Sequence, residues 1–252
     1  MSDVRILGVR VTSQSYSAGT ARLLEAAAGH QPFRAHFCTV HSLMEATHNP
    51  ALLDVFESAD MVAMDGVPLV WVAHHRGRRS AERVCGPDTM LTVCDEGRRS
   101  GLRHFLLGGA PGVAEALSDR LSSRFPGLTV VGTLSPPFRE LTDDEDAALV
   151  AQVNATAPDV VWIGLGSPKQ EFWAASHAAA IPAVLLPVGA AFDFHSGRIR
   201  RAPRWMQRIG LEWLFRLAMD PRRLLGRYVT TNSRFVVGVL REEFSRARLR
   251  RR

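Results

Sequence analysis

An α/β fold is predicted for this chain, a mostly parallel sheet flanked by helices with a C-terminal helical appendage, and three observations predict it. Short β-branched or apolar runs alternate with segments of helical period through most of the sequence, the order that parallel strands and crossover helices require. Four of those runs end on Asp65, Gly108, Gly164 or Gly189, the strand ends beyond which parallel sheets bind ligands. After Pro203 the pattern changes to apolar residues at helical spacing among arginines. With 252 residues, 46% of them apolar, the chain can bury a substantial core, and one large domain with a tail is expected.

Strands are expected over residues 4–9, 35–39, 61–64, 104–107, 128–131, 160–163 and 183–188, each a short run rich in Val, Ile, Leu, Phe or Met. Helices fill most of the gaps. The clearest run over residues 112–124, after the turn Gly108-Gly109-Ala110-Pro111, and over 143–154, where Thr142 and Glu145 form a capping box. Beyond Pro203, Trp205, Met206, Ile209, Trp213, Leu214 and Leu217 recur at helical spacing, and Asp220-Pro221 starts another helical segment. Residues 233–252 join Phe235, Val236, Val237, Val239, Leu240 and Phe244 to five arginines after Ser245. Two readings of that piece are open: a surface helix lying on an anionic bilayer, or a helix packed on its own core with a frayed end.

Charge is distributed unevenly. The basic residues are 30 arginines and the single Lys169; residues 198–252 carry +12 and residues 1–197 carry −6, which together make the net +6. Such asymmetry points to an anionic partner for the C-terminal part, a membrane surface, a nucleic acid or a phosphorylated substrate, unless it is a merely solvated tail. No RNA-binding signature or interleaved aromatic platform is present, so nucleic acid is not expected. Cys38, Cys85 and Cys94 are odd in number and lack CxxC spacing, which argues against a disulfide framework or a zinc site and fits a reducing cytosol. The N-terminus has no apolar signal core, so export is not expected. The longest uncharged stretch, residues 174–192, is broken by Pro182, Pro187 and Gly189 and does not read as a membrane span.

Several segments can carry chemistry. Gly189 to Phe194 joins small residues to the lone carboxylate of Asp193, and Arg198, Arg200, Arg201 and Arg204 follow. Small residues allow close approach to the backbone, and guanidinium forks match phosphate oxygens, so a phosphorylated ligand is expected. Asp65 stops an apolar strand before Gly66: either a general base whose pKa is raised by partial burial, or a cap for a helix beginning near Pro68. Gly164-Leu165-Gly166-Ser167-Pro168-Lys169-Gln170-Glu171 follows a strand and opens a helix, so its backbone N–H groups can face an anion while Lys169 and Gln170 add donors. It is not a Walker loop, and Gly108-Gly109-Ala110-Pro111-Gly112 is not a GxGxxG fingerprint; both can also be plain strand-to-helix turns. No metal site is expected. His41, His48, His104, His177 and His195 lack partners at ligand spacing, His74-His75 reads as a solvated helix end, and Asp143, Asp144 and Asp146 fall in the first turn of a helix, where acids favour the dipole.

Six ordered blocks then carry a resemblance: Asp65-Gly66; Arg83-Val84-Cys85-Gly86-Pro87-Asp88; the run from Phe105 to Ala114; Gly164 to Glu171; Phe192-Asp193-Phe194 with Arg201-Ala202-Pro203; and Gly210-Leu211-Glu212-Trp213 with Arg216, Pro221, Arg222, Arg223, Arg227 and Tyr228. From about Ile6 to Tyr228 the chain resembles the WecG/TagA/CpsF family, glycosyltransferase family 26. The resemblance implies an inverting, metal-independent enzyme without cofactor that moves a sugar from a UDP-sugar donor to a polyprenyl-diphosphate-linked acceptor, peripheral on the cytoplasmic face of the plasma membrane, in cell-surface polysaccharide synthesis. Donors in the family include N-acetylmannosamine, its uronic acid and glucose. Asp65 matches the family's base, and Thr39 is kept from a Thr-x-Asn element in which His41 replaces the asparagine. Gln170 and Arg83 match positions lining the same cleft, Asp193 a position near the nucleotide, and Arg216, Arg222, Arg223 and Arg227 are candidates to neutralise the leaving diphosphate.

Taken together, residues 1–200 are expected to form a Rossmann-like glycosyltransferase domain and residues 201–252 a helical membrane-docking appendage. Asp65, Thr39 and Gln170 are the expected catalytic residues; His41, Arg83, Gly108, Gly109, Gly164, Gly166, Lys169, Asp193 and the four arginines are the expected substrate-binding residues. A homo-oligomer that rearranges at the bilayer is a further expectation. A non-catalytic nucleotide-sugar-binding subunit of an assembly complex is the alternative on the same fold.

Overall fold

Where the sequence predicts one strand over residues 4–9, the structure has a hairpin. The computed structural model describes residues 2–249, with the side chains of Ser2, Arg223, Leu224, Arg227 and Tyr228 outside that description. Strands β1 (Ser2–Ile6) and β2 (Val9–Ser13) pair antiparallel, Val4 opposite Val11, around Leu7 and Gly8 at φ of 51° and 85°. Two successive positive φ values make the tight turn whose twist suits a two-residue hairpin. Leu7 hides that turn from the sequence, because a large apolar residue seldom takes this conformation and reads as strand.

The remaining strands are parallel: β3 (Phe33–Cys38), β4 (Met61–Met64), β5 (Arg103–Gly108), β6 (Thr129–Leu134), β7 (Val160–Gly164) and β8 (Val184–Pro187). They form one eight-stranded sheet in the order β1-β2-β4-β3-β8-β7-β5-β6, so the mostly parallel sheet expected from the alternation of elements is present. In chain order the helices are α1 (Tyr16–Ala28), α2 (Val40–Ala46), α3 (Pro50–Glu57), α4 (Val67–His75), α5 (Gly86–Glu96), α6 (Val113–Arg124), α7 (Asp143–Ala155), α8 (Lys169–Ser176), α9 (Ala191–His195), α10 (Arg204–Arg208), α11 (Glu212–Met219) and α12 (Pro221–Leu249). The expected capping box starts α7: the Thr142 hydroxyl accepts from the Glu145 N–H at 3.3 Å, and the Glu145 carboxylate accepts from the Thr142 N–H at 2.9 Å.

Alternate residues of each strand serve opposite faces. Ala35, Ala63, Leu106, Trp162 and Leu186 pack under α1, α5, α6 and α9. On the other face Cys38, Val62 and Met64 pack under α2, α3 and α4, while Phe105, Val161 and Leu185 pack under α7 and α8. Burial on both faces is why these strands read as continuous apolar runs.

The C-terminal segment divides at Gly210, whose φ of 78° separates α10 from α11. Residues 233–249 do not form a separate piece; they continue α12, which begins at Pro221. Its inner side packs on the core through Phe235 and Val239. Gly238 lets the Leu7 turn approach, since a Cβ there would stand 3.2 Å from the Leu7 methyls. Glu242 accepts from the Leu7 N–H at 3.0 Å and from Arg76 Nη2 at 2.8 Å. Its outer side leaves Val236, Val237, Leu240 and Phe244 exposed. Packing on the chain's own core therefore describes one side of this helix, and an apolar outer surface the other. Among the described residues no helix is long and apolar enough to cross a membrane.

Candidate active site

The expected site residues line up along the carboxyl edge of the sheet. Thr39 follows β3, Asp65 follows β4, Gly189 lies just beyond β8, and Gly164 and Gly108 end β7 and β5. Since the order is β4-β3-β8-β7-β5, Asp65 and Gly108 stand four strand spacings apart, about 19 Å at ~4.8 Å each. Between β3 and β8 the chain leaves toward opposite faces, through α2 and α9. Divergence of this kind opens a crevice at the strand tips.

Asp65 is held at one end of this row by its backbone and its carboxylate. Its N–H donates to Cys38 O at 2.9 Å, tying the tip of β4 to that of β3. α4 has Gly66 at its N-cap position and no side-chain cap. The carboxylate's partner is Arg83, whose Nη2 reaches Asp65 Oδ1 at 2.9 Å while its Nε donates to Asp65 O at 2.6 Å. The same Nη2 reaches Glu212 Oε2 of α11 at 2.8 Å. Glu212 Oε1 lies 3.3 Å from Arg201 Nε, and Arg201 forks onto Asp88, which also accepts from Cys85 Sγ at 2.9 Å. Asp65, Arg83, Glu212, Arg201 and Asp88 thus form a chain of alternating charge.

Burial raises the Asp65 carboxyl above the usual carboxylate value; Arg83 pulls it down, and the Glu212 charge pushes the same way as burial. Burial disfavours the Arg83 charge, yet Asp65 and Glu212 more than offset this and hold it firmly protonated. Burial also raises Asp88, but its bonds to Arg201 and Cys85 outweigh it and leave the group below its usual value. A carboxylate with raised proton affinity at a strand tip can take a proton from a hydroxyl, the capacity a general base needs.

Near the middle of the row, Thr39 caps α2: its hydroxyl accepts from the Ser42 N–H at 3.1 Å while its N–H donates to Ser42 Oγ at 2.9 Å. His41 lies 3.7 Å from Glu45 one turn along α2. Gln170 is 5% exposed and donates from Nε2 to Glu171 Oε1 at 3.2 Å. Its Oε1 has no partner and lies where a Gly189 side chain would start, 3.2 Å from a Cβ built there. Glu171 Oε2 is likewise buried without a partner, and burial raises that carboxyl.

At the far end the glycines have packing reasons. A Cβ on Gly108 would lie 2.5 Å from the Gly164 carbonyl carbon, and one on Gly164 2.6 Å from the Phe192 ring. Gly109 has φ +79° and donates its N–H to Gly164 O at 2.9 Å, whereas Gly166, at φ +80°, faces open space. Lys169 is exposed, its Nζ 3.3 Å from Arg139 O. Asp193 stands 3.8 Å from Arg198, in an ion pair open to solvent. Arg216 lies over the Phe194 ring at 5.8 Å, which brings it to the segment after β8. Arg222 is exposed on the first turn of α12; the side chains of Arg223 and Arg227 fall outside the described residues. Among the described residues no group of three or more His, Cys, Asp and Glu is placed to hold a metal ion.

Asp88, Glu212 and Glu171 lie in the segments that carry the family resemblance but receive no role from the sequence, and Arg201, read there as one of the forks for a phosphorylated ligand, pairs with Asp88 and Glu212. For Asp88, Arg201 and Glu212 the signal was available only as alternating charges far apart in the chain, which adjacency in sequence cannot reveal.

The profile of the glycosyl transferase WecG/TagA/CpsF family matches residues 4–249. A relative from Bacillus spizizenii, named N-acetylglucosaminyldiphosphoundecaprenol N-acetyl-beta-D-mannosaminyltransferase, is 31% identical over 205 residues, 81% of this chain and 77% of the relative. A protein of the same name from Bacillus subtilis is 30% identical over 192 residues, 75% of this chain and 72% of the relative.

Proposed function

The chain belongs to the WecG/TagA/CpsF family of glycosyl transferases, and from that membership we propose that it moves N-acetylmannosamine from UDP to N-acetylglucosamine carried on a polyprenyl diphosphate. Both relatives bear names describing that acceptor and that sugar. The observation that carries the mechanism is Asp65: a largely buried acid with raised proton affinity at a strand tip, in one row with Gln170 and the glycine tips of β5 and β7. In this reading the nucleotide lies toward β5 and β7 with Asp193 nearby, and the sugar lies at Gln170 and Gly189. The acceptor hydroxyl meets Asp65. Asp65 takes its proton as the oxygen attacks the anomeric carbon in line, the bond to UDP breaks, and the anomeric centre inverts.

The electrons of the broken bond go to the diphosphate, whose charge Arg216 and Arg222, with Arg223 and Arg227, neutralise without a metal ion. Thr39 and His41 of α2 border the sugar. Residues 201–249 act as the docking appendage: Trp205, Ile209, Met219, Val229 and Phe244 are exposed among arginines, a surface suited to an anionic bilayer on the cytoplasmic side, where the lipid-linked acceptor resides. The test is a donor panel of UDP-N-acetylmannosamine, UDP-N-acetylmannosaminuronic acid and UDP-glucose against a short-chain prenyl diphosphate of N-acetylglucosamine, with and without EDTA. A preference for the first donor that survives EDTA is expected. Preference for another donor overturns the sugar assignment, and loss in EDTA overturns the role of the arginines.

A further inference from the structure

We propose that Glu212 is a positioning residue for the transfer: by gripping the same Arg83 nitrogen that grips Asp65, it makes the alignment of the base depend on α11 being seated over the strand tips. This rests on the reading of Asp65 as the base. Arg83 is oriented by four acceptors: the backbone oxygen and Oδ1 of Asp65 at 2.6 and 2.9 Å, Glu212 Oε2 at 2.8 Å and, at the longer distance of 3.5 Å, Gln207 O of α10. Two of these fix the guanidinium on Asp65, the third ties it by a charge to α11, and the longest touches the backbone of α10.

Glu212 is itself held from behind by Arg201 at 3.3 Å, and Arg201 by Asp88 of α5. The side chain of Glu212 is only 13% exposed. A carboxylate gripped from two sides and largely buried is a built part of the site, not a contact that closes by chance. Trp213 beside it faces outward, with Leu214 and Met219 exposed on the same short helix, so one helix carries the grip on the base inside and an apolar surface outside.

The charged groups facing Asp65 are Arg83 and Glu212, with Arg201 beyond them and Asp88 behind, and the neutral Cys85 thiol lies against Asp88. Removing the Glu212 charge leaves Arg83 matched by Asp65 alone, which weakens the base and loosens its orientation together. Glu212→Gln is therefore expected to lower kcat by about tenfold to a hundredfold, the scale of a small misplacement of a reacting group, with little change in donor KM. The acidic limb of the pH profile should move down, since the Glu212 charge raises the Asp65 carboxyl.

The experiment measures kcat, KM and pH profiles for the parent, Glu212→Gln, Asp65→Asn and the double variant, using UDP-N-acetylmannosamine and the short-chain prenyl-diphosphate acceptor. If Glu212 acts through Asp65, Glu212→Gln costs little more in the Asp65→Asn background. A full additional loss there, an unmoved acidic limb, or a gain in rate overturns the proposal while leaving Asp65 as base intact. An active Asp65→Asn overturns the base instead. Should Glu212→Gln fail to fold, Glu212→Asp keeps the charge but shortens the reach, and must lower kcat with the acidic limb unmoved.

Discussion

Asp65→Asn separates chemistry from structure at this site. Asparagine keeps the shape and keeps an Oδ1 acceptor for Arg83 Nη2, now 2.9 Å away. Arg83 also retains the Asp65 backbone oxygen at 2.6 Å and Glu212 at 2.8 Å, so its guanidinium stays in place. What is lost is the ability to take a proton. A positioned general base contributes about a hundredfold to ten-thousandfold, which at about 1.4 kcal/mol per decade is roughly 3 to 5.5 kcal/mol of barrier.

Stability should move the other way. The folded protein raises the Asp65 carboxyl even with Arg83 pulling against it, so the ionised group costs stability above the ordinary carboxylate value. That cost grows as the pH rises toward the folded-state value and disappears as the pH falls through the ordinary one. The asparagine variant never carries it. At neutral pH its Tm is expected to equal or exceed the parent's, with the gap closing in acid. Initial rates of UDP release give kcat, calorimetry gives UDP affinity, and thermal melts at two pH values give the sign. A kcat within tenfold of the parent, or a Tm several degrees lower at neutral pH, would refute the reasoning.

Three other outcomes are expected. Glu171→Gln keeps an acceptor for Gln170 but removes a carboxyl that burial raises above its usual value; melts should show it at least as stable as the parent at pH 8, with any advantage shrinking toward pH 5, and equal destabilisation at both would contradict the assignment. Glu242→Ala strips the Leu7 N–H of its acceptor and leaves Arg76, whose side chain is 5% exposed, with Glu243 and the Arg5 backbone oxygen; urea unfolding should show a loss of about 1–3 kcal/mol, and no change would mean that α12 is not anchored there. Replacing Trp205, Ile209 and Met219 together by serine removes exposed apolar area without touching the core; flotation with phosphatidylglycerol vesicles should be lost while the Tm holds, and undiminished flotation would place the membrane contact elsewhere.

Much of this fold was legible because strands buried on both faces leave apolar runs, and the turns after them carry glycine or an acid. β4 and its Asp65 terminus, β7 with Gly164, and the α7 capping box are cases where local chemistry and tertiary role agree. The hairpin was not legible because Leu7 adopts a conformation usually left to Gly or Asn. The second role of Thr39 was also hidden: a threonine after a strand signals a ligand and a helix cap equally, and here it caps α2. The alternating chain from Asp65 to Asp88 was least legible of all. Its members are 18 to 129 residues apart along the bonds that tie Arg83 to Asp65 and to Glu212, and no local pattern announces pairs at such separation.

The way α10 and α11 are held bears on how the enzyme meets its substrate. Neither helix contributes a buried residue, so little hydrophobic burial fixes them, whereas α12 is anchored farther along by Phe235 at 5% exposure. They meet the candidate site through the Arg83–Glu212–Arg201 chain, the 3.5 Å bond from Arg83 to Gln207 O of α10, and Arg216 of α11 over the Phe194 ring. Separating such ions returns both to water, and the regained hydration roughly balances the lost attraction, so the pairs set where α11 sits more than how tightly it is held. Lifting α11 would therefore cost little, yet would remove the Glu212 carboxylate that helps to orient Arg83 beside Asp65. A lipid surface that covers Trp205, Ile209, Trp213 and Met219 could supply the burial that these helices lack within the protein. In the proposed reading, the same contact that brings a lipid-linked acceptor near would then steady the helix that helps to orient Asp65.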